Sequence, residues 1–120
     1  EGMTIAGNKD KGISVGEATE VLVKETRLEG NFIGIESKDG SLARVEDVDF
    51  DSNKTQLNAY GKNWRYGAGG RLEVLRSSFT GPTNVIEADK KSTIRITDSQ
   101  MAPLIKPGKG VVFDNVGARP

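Results

Sequence analysis

A chain of 120 residues and 12.9 kDa has the size of one domain, and its 29 Ile, Leu, Val and Phe residues, about 24%, exceed the roughly 20% below which disorder is favoured. Seventeen basic and seventeen acidic residues cancel, so the charge footprint of a dedicated nucleic-acid binder is missing. With neither Cys nor His, the chain offers no thiolate or imidazole metal ligand, no disulfide and no Cys or Ser/His nucleophile system, and no metal or cofactor is expected.

In chain order, Met3-Thr4-Ile5-Ala6-Gly7-Asn8 resembles Arg27-Leu28-Glu29-Gly30-Asn31 with one residue of slippage, and reads as the tail of a preceding unit. Opening without Met inside a patterned segment, the chain is expected to be a fragment of something longer. The first full unit runs Gly12-Ile13-Ser14-Val15, Val21-Leu22-Val23, Leu28. The second, Gly34-Ile35-Glu36-Ser37, Ala43-Arg44-Val45, Phe50, repeats it at an offset of 22. A third begins at Gln56-Leu57-Asn58-Ala59 and resumes at Leu72-Glu73-Val74 and Phe79, with seven surplus residues between Ala59 and Gly70. A fourth runs Val85-Ile86-Glu87-Ala88, Ile94-Arg95-Ile96, Met101. Beyond Met101, Pro103, Pro107 and three glycines interrupt the pattern, and residues 102–120 are expected to form a cap or tail with a short strand at Gly110-Val111-Val112-Phe113.

Stacking the units gives apolar columns that alternate with polar ones at a period of two, the signature of strands. Ile13, Ile35, Leu57 and Ile86 make one column, with Ser14, Glu36, Asn58 and Glu87 beside it. Val21, Ala43, Leu72 and Ile94 make another, followed by Val23, Val45, Val74 and Ile96, and then by Leu28, Phe50, Phe79 and Met101. Such a unit cannot bury its apolar face alone but can when copies stack. The expected fold is all-β: one domain over 1–120, a single-stranded right-handed parallel β-helix, a solenoid with about 22 residues per coil and roughly five coils.

The runs Gly34-Ile35-Glu36-Ser37-Lys38-Asp39-Gly40-Ser41 and Leu57-Asn58-Ala59-Tyr60-Gly61-Lys62, leading to Arg65-Tyr66-Gly67, carry a resemblance over residues 3 to 101. The chain resembles the right-handed β-helix repeats of bacterial secreted and surface proteins, the fold shared with pectate-lyase-like polysaccharide enzymes. That resemblance implies an extracellular or cell-surface location; a fold alone supplies no activity.

The insertion over 60–70 is the most informative candidate site. It holds the only Trp and both Tyr residues, and Tyr60, Lys62, Asn63, Trp64, Arg65 and Tyr66 combine aromatic faces with polar groups, as a carbohydrate-binding surface requires. The competing reading folds Trp64 and Tyr66 back over the flank as packing. A second candidate is the set Glu36, Asp39, Glu87 and Asp89 with Lys38. Glu36 and Glu87 flank a third-unit copy that supplies Asn58, so they stand about two strand spacings apart, too far to share one Ca²⁺. A solvated acidic face is expected instead. Arg44, Glu73 and Arg95, and likewise Asp47, Arg76 and Asp98, alternate in sign along a column as structural pairs. Asn31 and Asn53 are expected at turns or in an Asn ladder.

Three functions fit the sequence. The first is a non-catalytic β-helix module binding a polysaccharide or protein partner through the insertion. The others are a fragment of a polysaccharide lyase or hydrolase, and a structural unit that self-assembles into homo-oligomers through its end coils. No run of 18 apolar residues provides a membrane span.

Overall fold

The computed structural model describes residues 3–61 and 68–118. Those residues form thirteen strands and no helix. In chain order they are β1 (Met3–Ala6), β2 (Lys11–Val15), β3 (Glu20–Lys24), β4 (Thr26–Glu29), β5 (Ile33–Lys38), β6 (Leu42–Glu46), β7 (Asp49–Asp51), β8 (Thr55–Tyr60), β9 (Arg71–Leu75), β10 (Ser78–Thr80), β11 (Ile86–Ala88), β12 (Thr93–Ala102) and β13 (Val111–Ala118).

Consecutive strands do not pair as hairpins; each pairs in parallel with the strand one repeat away. β2, β5, β8 and β11 make a four-stranded sheet, and the other nine strands make a second, curled sheet. β12 bridges two ladders of that second sheet, pairing with β9 through its first half and with β10 through its second. Parallel pairing follows from the sequence period: identical columns in successive units align only if every copy runs the same way.

The paired residues are those of the columns. Ile13 lies against Ile35, Ile35 against Leu57, and Leu57 against Ile86. Leu28, Phe50, Phe79 and Met101 form a second continuous ladder, joined at its open end by Ile5. The third-to-second offset rises to 29 between Ala43 and Leu72, then returns to 22 between Leu72 and Ile94. The extra residues therefore leave the sheets between β8 and β9 without shifting either ladder.

Apolar columns fill the interior. Leu28, Ile35, Val45, Phe50, Leu57, Phe79, Ile94, Ile96 and Met101 are all fully buried. Phe50 and Phe79 stack with ring centroids 4.6 Å apart and planes 6° from parallel. At one corner the interior is too narrow for a side chain: a Cβ on Gly34 would lie 2.5 Å from the Gln56 carbonyl oxygen and 3.3 Å from the Phe50 ring.

One turn carries a chain of amide side chains. Asn8 Nδ2 donates to Asn31 Oδ1, Asn31 Nδ2 to Asn53 Oδ1, Asn53 Nδ2 to Gln56 Oε1 and Gln56 Nε2 to Asn84 Oδ1. Asn53 Nδ2 also donates to the Leu28 carbonyl, and Asn53 Oδ1 accepts from the Asn31 amide. The ladder expected at Asn31 and Asn53 is present and is longer than the sequence suggests, because Gln56 and Asn84 extend it out of register. Buried turn backbone thus finds its partners inside the molecule.

Past Met101 the pattern resumes. β13 is eight residues long and pairs with β12 at an offset of 17, Ile94 against Val111 and Met101 against Ala118. The expected strand at 110–113 was too short because Asn115, at φ 58°, breaks the sequence alternation. That position repeats the left-handed corner already formed by Glu25, Asp47, Arg76 and Asp98.

Candidate functional site

The four-stranded sheet sets the outward residues of β5, β8 and β11 in rows. Glu36 lies beside Asn58, and Asn58 beside Glu87, so the two glutamates stand two strands apart as expected. Burial corrects the expected solvated acidic face at two of its four residues. Glu36 is 2% exposed and Asp39 1%, while Glu87 and Asp89 are exposed.

Glu36 is partnered rather than solvated. Lys11 Nζ is 3.4 Å from Glu36 Oε1, and Asn58 Nδ2 donates to Glu36 Oε2 at 3.1 Å. The charge of Glu36 holds the Lys11 ammonium pKa above its ordinary value, against a smaller opposing effect of burial. Tyr60 stands at the end of the same strand as Asn58. Burial pushes its phenol upward and the neighbouring Glu36 carboxylate adds to that, so the hydroxyl stays protonated at neutral pH. Lys11 escaped the sequence reading because it meets Glu36 diagonally, outside the column that Glu36 shares with Ser14 and Asn58.

Asp89 does a different job. Its Oδ2 accepts from the Gly61 amide at 2.7 Å, and its Oδ1 accepts from Ser92 Oγ at 2.6 Å and from the Lys91 amide at 3.1 Å. Burial alone would raise its pKa, but these donors outweigh it and hold the carboxyl below the ordinary value. Asp89 therefore fastens the point at which the chain leaves β8.

The return of the chain is fastened to the same turn and to the one below. Gly69 N donates to the Lys91 carbonyl and Gly70 N to Ser92 Oγ. The Gly69 carbonyl accepts from Gly40 N, and Arg71 N donates to the Ser41 carbonyl. Close approach requires glycine here: a Cβ on Gly70 would overlap the Ser37 carbonyl, and one on Gly69 would overlap Ser92 Oγ. Lys62, Asn63, Trp64, Arg65 and Tyr66 lie outside the described residues. Of the expected binding residues, Tyr60 alone is placed, half-buried at the mouth of the insertion.

The alternating charge columns are present on the outer faces. Arg76 pairs with Asp47 through two nitrogens, Nε to Oδ1 at 3.0 Å and Nη2 to Oδ2 at 3.2 Å. Arg44 Nε lies 3.9 Å from Glu73 Oε1. Arg27 bridges Glu29, Asp49 and Asp51. Among the described residues no group of three or more acidic side chains is arranged to hold a metal ion.

Comparison with family models, curated proteins and solved structures finds no match.

Proposed function

We propose that the chain is a non-catalytic right-handed parallel β-helix module of a bacterial surface or secreted protein, a rigid stack of coils that presents the 60–70 insertion as its binding element. The observation that carries this reading is the clamping of both ends of the insertion. Gly61 is held by Asp89, and Gly69 and Gly70 by Lys91, Ser92 and Gly40, while the ladders on either side keep their register. A segment that leaves and rejoins an undisturbed scaffold through fixed points can vary in sequence without cost to the core, the arrangement expected of a display loop.

The solenoid reading is supported by the return of every strand to its own column after one repeat and by the elongated outline of 43 × 26 × 23 Å. The residues between the clamps bring Trp64, Tyr66, Lys62, Asn63 and Arg65 into one short segment, a composition suited to stacking on sugar rings and bonding to their hydroxyls. Screening on a glycan array, followed by titration of the hits, tests this. Trp64→Ala is expected to abolish binding and leave the thermal midpoint nearly unchanged. A midpoint lowered by many degrees would instead make Trp64 part of the packing, and intact binding by the variant would remove the insertion from recognition.

A further inference from the structure

Two stacked turns and the loop between them gather lysines on one corner of the coil. The first turn is Asp89-Lys90-Lys91-Ser92, closed by Ser92 N donating to the Asp89 carbonyl at 3.2 Å. The second is Gly108-Lys109-Gly110-Val111, closed by Val111 N donating to the Gly108 carbonyl at 3.1 Å. They lie on adjacent levels of the stack: Ile94 N donates to the Gly110 carbonyl, and a Cβ on Gly110 would stand 2.9 Å from the Ser92 carbonyl oxygen and 3.2 Å from Ala88 Cβ. Neighbouring parallel strands are about 4.8 Å apart, so Lys90 and Lys91 stand roughly one such step from the level of Lys109.

The loop leading into the second turn adds a fourth lysine and an apolar side chain. Ile105 packs against the core, while Leu104 and Lys106 on either side of it are exposed, Leu104 by 47%. Pro103 and Pro107 bracket these three residues and stiffen the loop. Val112, just past the second turn, is likewise 47% exposed. Lys90, Lys91, Lys106 and Lys109 are all exposed, and among the described residues no ion pair engages any of them. The adjoining carboxylates are Glu87, which is exposed, and Asp89, whose oxygens already accept from Gly61 N, Ser92 Oγ and Lys91 N. Four positive charges against two negative leave the corner basic on a chain with no net charge.

We propose that this corner docks on the surface of an anionic phospholipid bilayer, with the four ammonium groups among the phosphates and Leu104 dipping toward the acyl boundary. Each lysine held near such a surface strengthens binding by about fivefold, and the charge pattern here is a local patch of the size that suffices. Apolar side chains flanking the lysines gain by burial in the interface, a gain that a polyanion in water does not offer. Duplex nucleic acid is the poorer fit, because the chain as a whole is neutral and nothing beyond this corner would follow a phosphate backbone. The docking uses neither Trp64 nor any other residue of the insertion, so it stands apart from the glycan reading.

The test is cosedimentation of the full chain at low ionic strength with vesicles of phosphatidylcholine alone and of equal parts phosphatidylcholine and phosphatidylglycerol, with duplex DNA titrated in parallel. Binding to the mixed vesicles, at least about tenfold weaker to the neutral ones and falling as sodium chloride is raised, is expected. Lys90→Gln/Lys91→Gln and Lys106→Gln/Lys109→Gln should each weaken it by about tenfold or more, and Leu104→Ser by about fivefold, without moving the thermal midpoint. Lys9→Gln/Lys54→Gln, which removes as many charges from the amide-ladder turn, should stay within about twofold of the parent. The proposal is overturned if the mixed vesicles do not bind, if the neutral ones bind equally, or if DNA binds as tightly. It is equally overturned if either lysine pair at the corner or Leu104→Ser behaves like the parent, or if the Lys9/Lys54 control loses as much.

Discussion

Removing the ring of Phe50 is the severest single test of the stacked interior. Phe50 is fully buried, pairs in register with Leu28 on one side and Phe79 on the other, and stacks on the Phe79 ring at 4.6 Å. Phe→Ala in a core costs about 3–5 kcal/mol, and a stacked aromatic pair adds roughly 0.5–1.5 kcal/mol beyond area burial. The site cannot easily collapse, because the backbone around it is fixed by the ladders and by the close contact of Gly34 with Gln56. Phe50→Ala should therefore fall near the upper end, about 4–5 kcal/mol, and lower the thermal midpoint by on the order of 15 °C. Urea titration with the slope held constant measures the loss, and a double-mutant cycle with Phe79→Ala should return a coupling of about 0.5–1.5 kcal/mol. A loss below about 1 kcal/mol, or strict additivity of the two changes, would refute the stacked ladder.

Asn53→Ala should cost about 3 kcal/mol in the same titration, since it strips an acceptor from Asn31 and a donor from the Leu28 carbonyl in a buried turn. Gly70→Ala should lower the thermal midpoint far more than Gly7→Ala, because the new Cβ overlaps the Ser37 carbonyl at the first site and meets open space at the second, where only the left-handed φ of 69° costs about 1–2 kcal/mol. Asp89 has a depressed folded pKa, so its contribution to stability is present above the unfolded value near 3.8 and is lost as pH falls through the folded value. Denaturation midpoints measured from pH 5 downward should thus fall less steeply for Asp89→Asn than for the parent, and identical acid limbs would contradict the role given to its three donors.

The period, the parallel order and the pairing of every apolar column were legible in the sequence, because a strand repeat writes its register directly as spacing: Leu28, Phe50, Phe79 and Met101 align by counting alone. The seven-residue surplus was legible for the same reason. What escaped were contacts that run diagonally across the columns. Lys11 reaches Glu36 three positions out of line, and that pairing, with Asn58, turns an expected solvated acid into a buried one. Gln56 enters the amide ladder from a position that glycine occupies in the two preceding units. Asp89 reads as a surface acid until its three donors are seen around it. β13 was underestimated because its offset of 17 departs from the period and a left-handed Asn115 interrupts its alternation.

Cysteine cross-linking tests the central claim, the stacking of repeat on repeat, most directly, and the absence of native cysteine gives a clean background. Arg44 and Glu73 are register partners on adjacent strands, half-exposed, and separated in sequence by the whole insertion. Neighbouring parallel strands lie about 4.8 Å apart, within the 4.4–6.8 Å that a disulfide spans, while residues two strands apart, as Arg44 and Arg95 are, exceed it. Mild oxidation of Arg44→Cys/Glu73→Cys should give a monomeric disulfide, detected by non-reducing peptide mapping, and Arg44→Cys/Arg95→Cys should stay reduced under the same conditions. A cross-link in the second pair but not in the first would contradict the stacked parallel register.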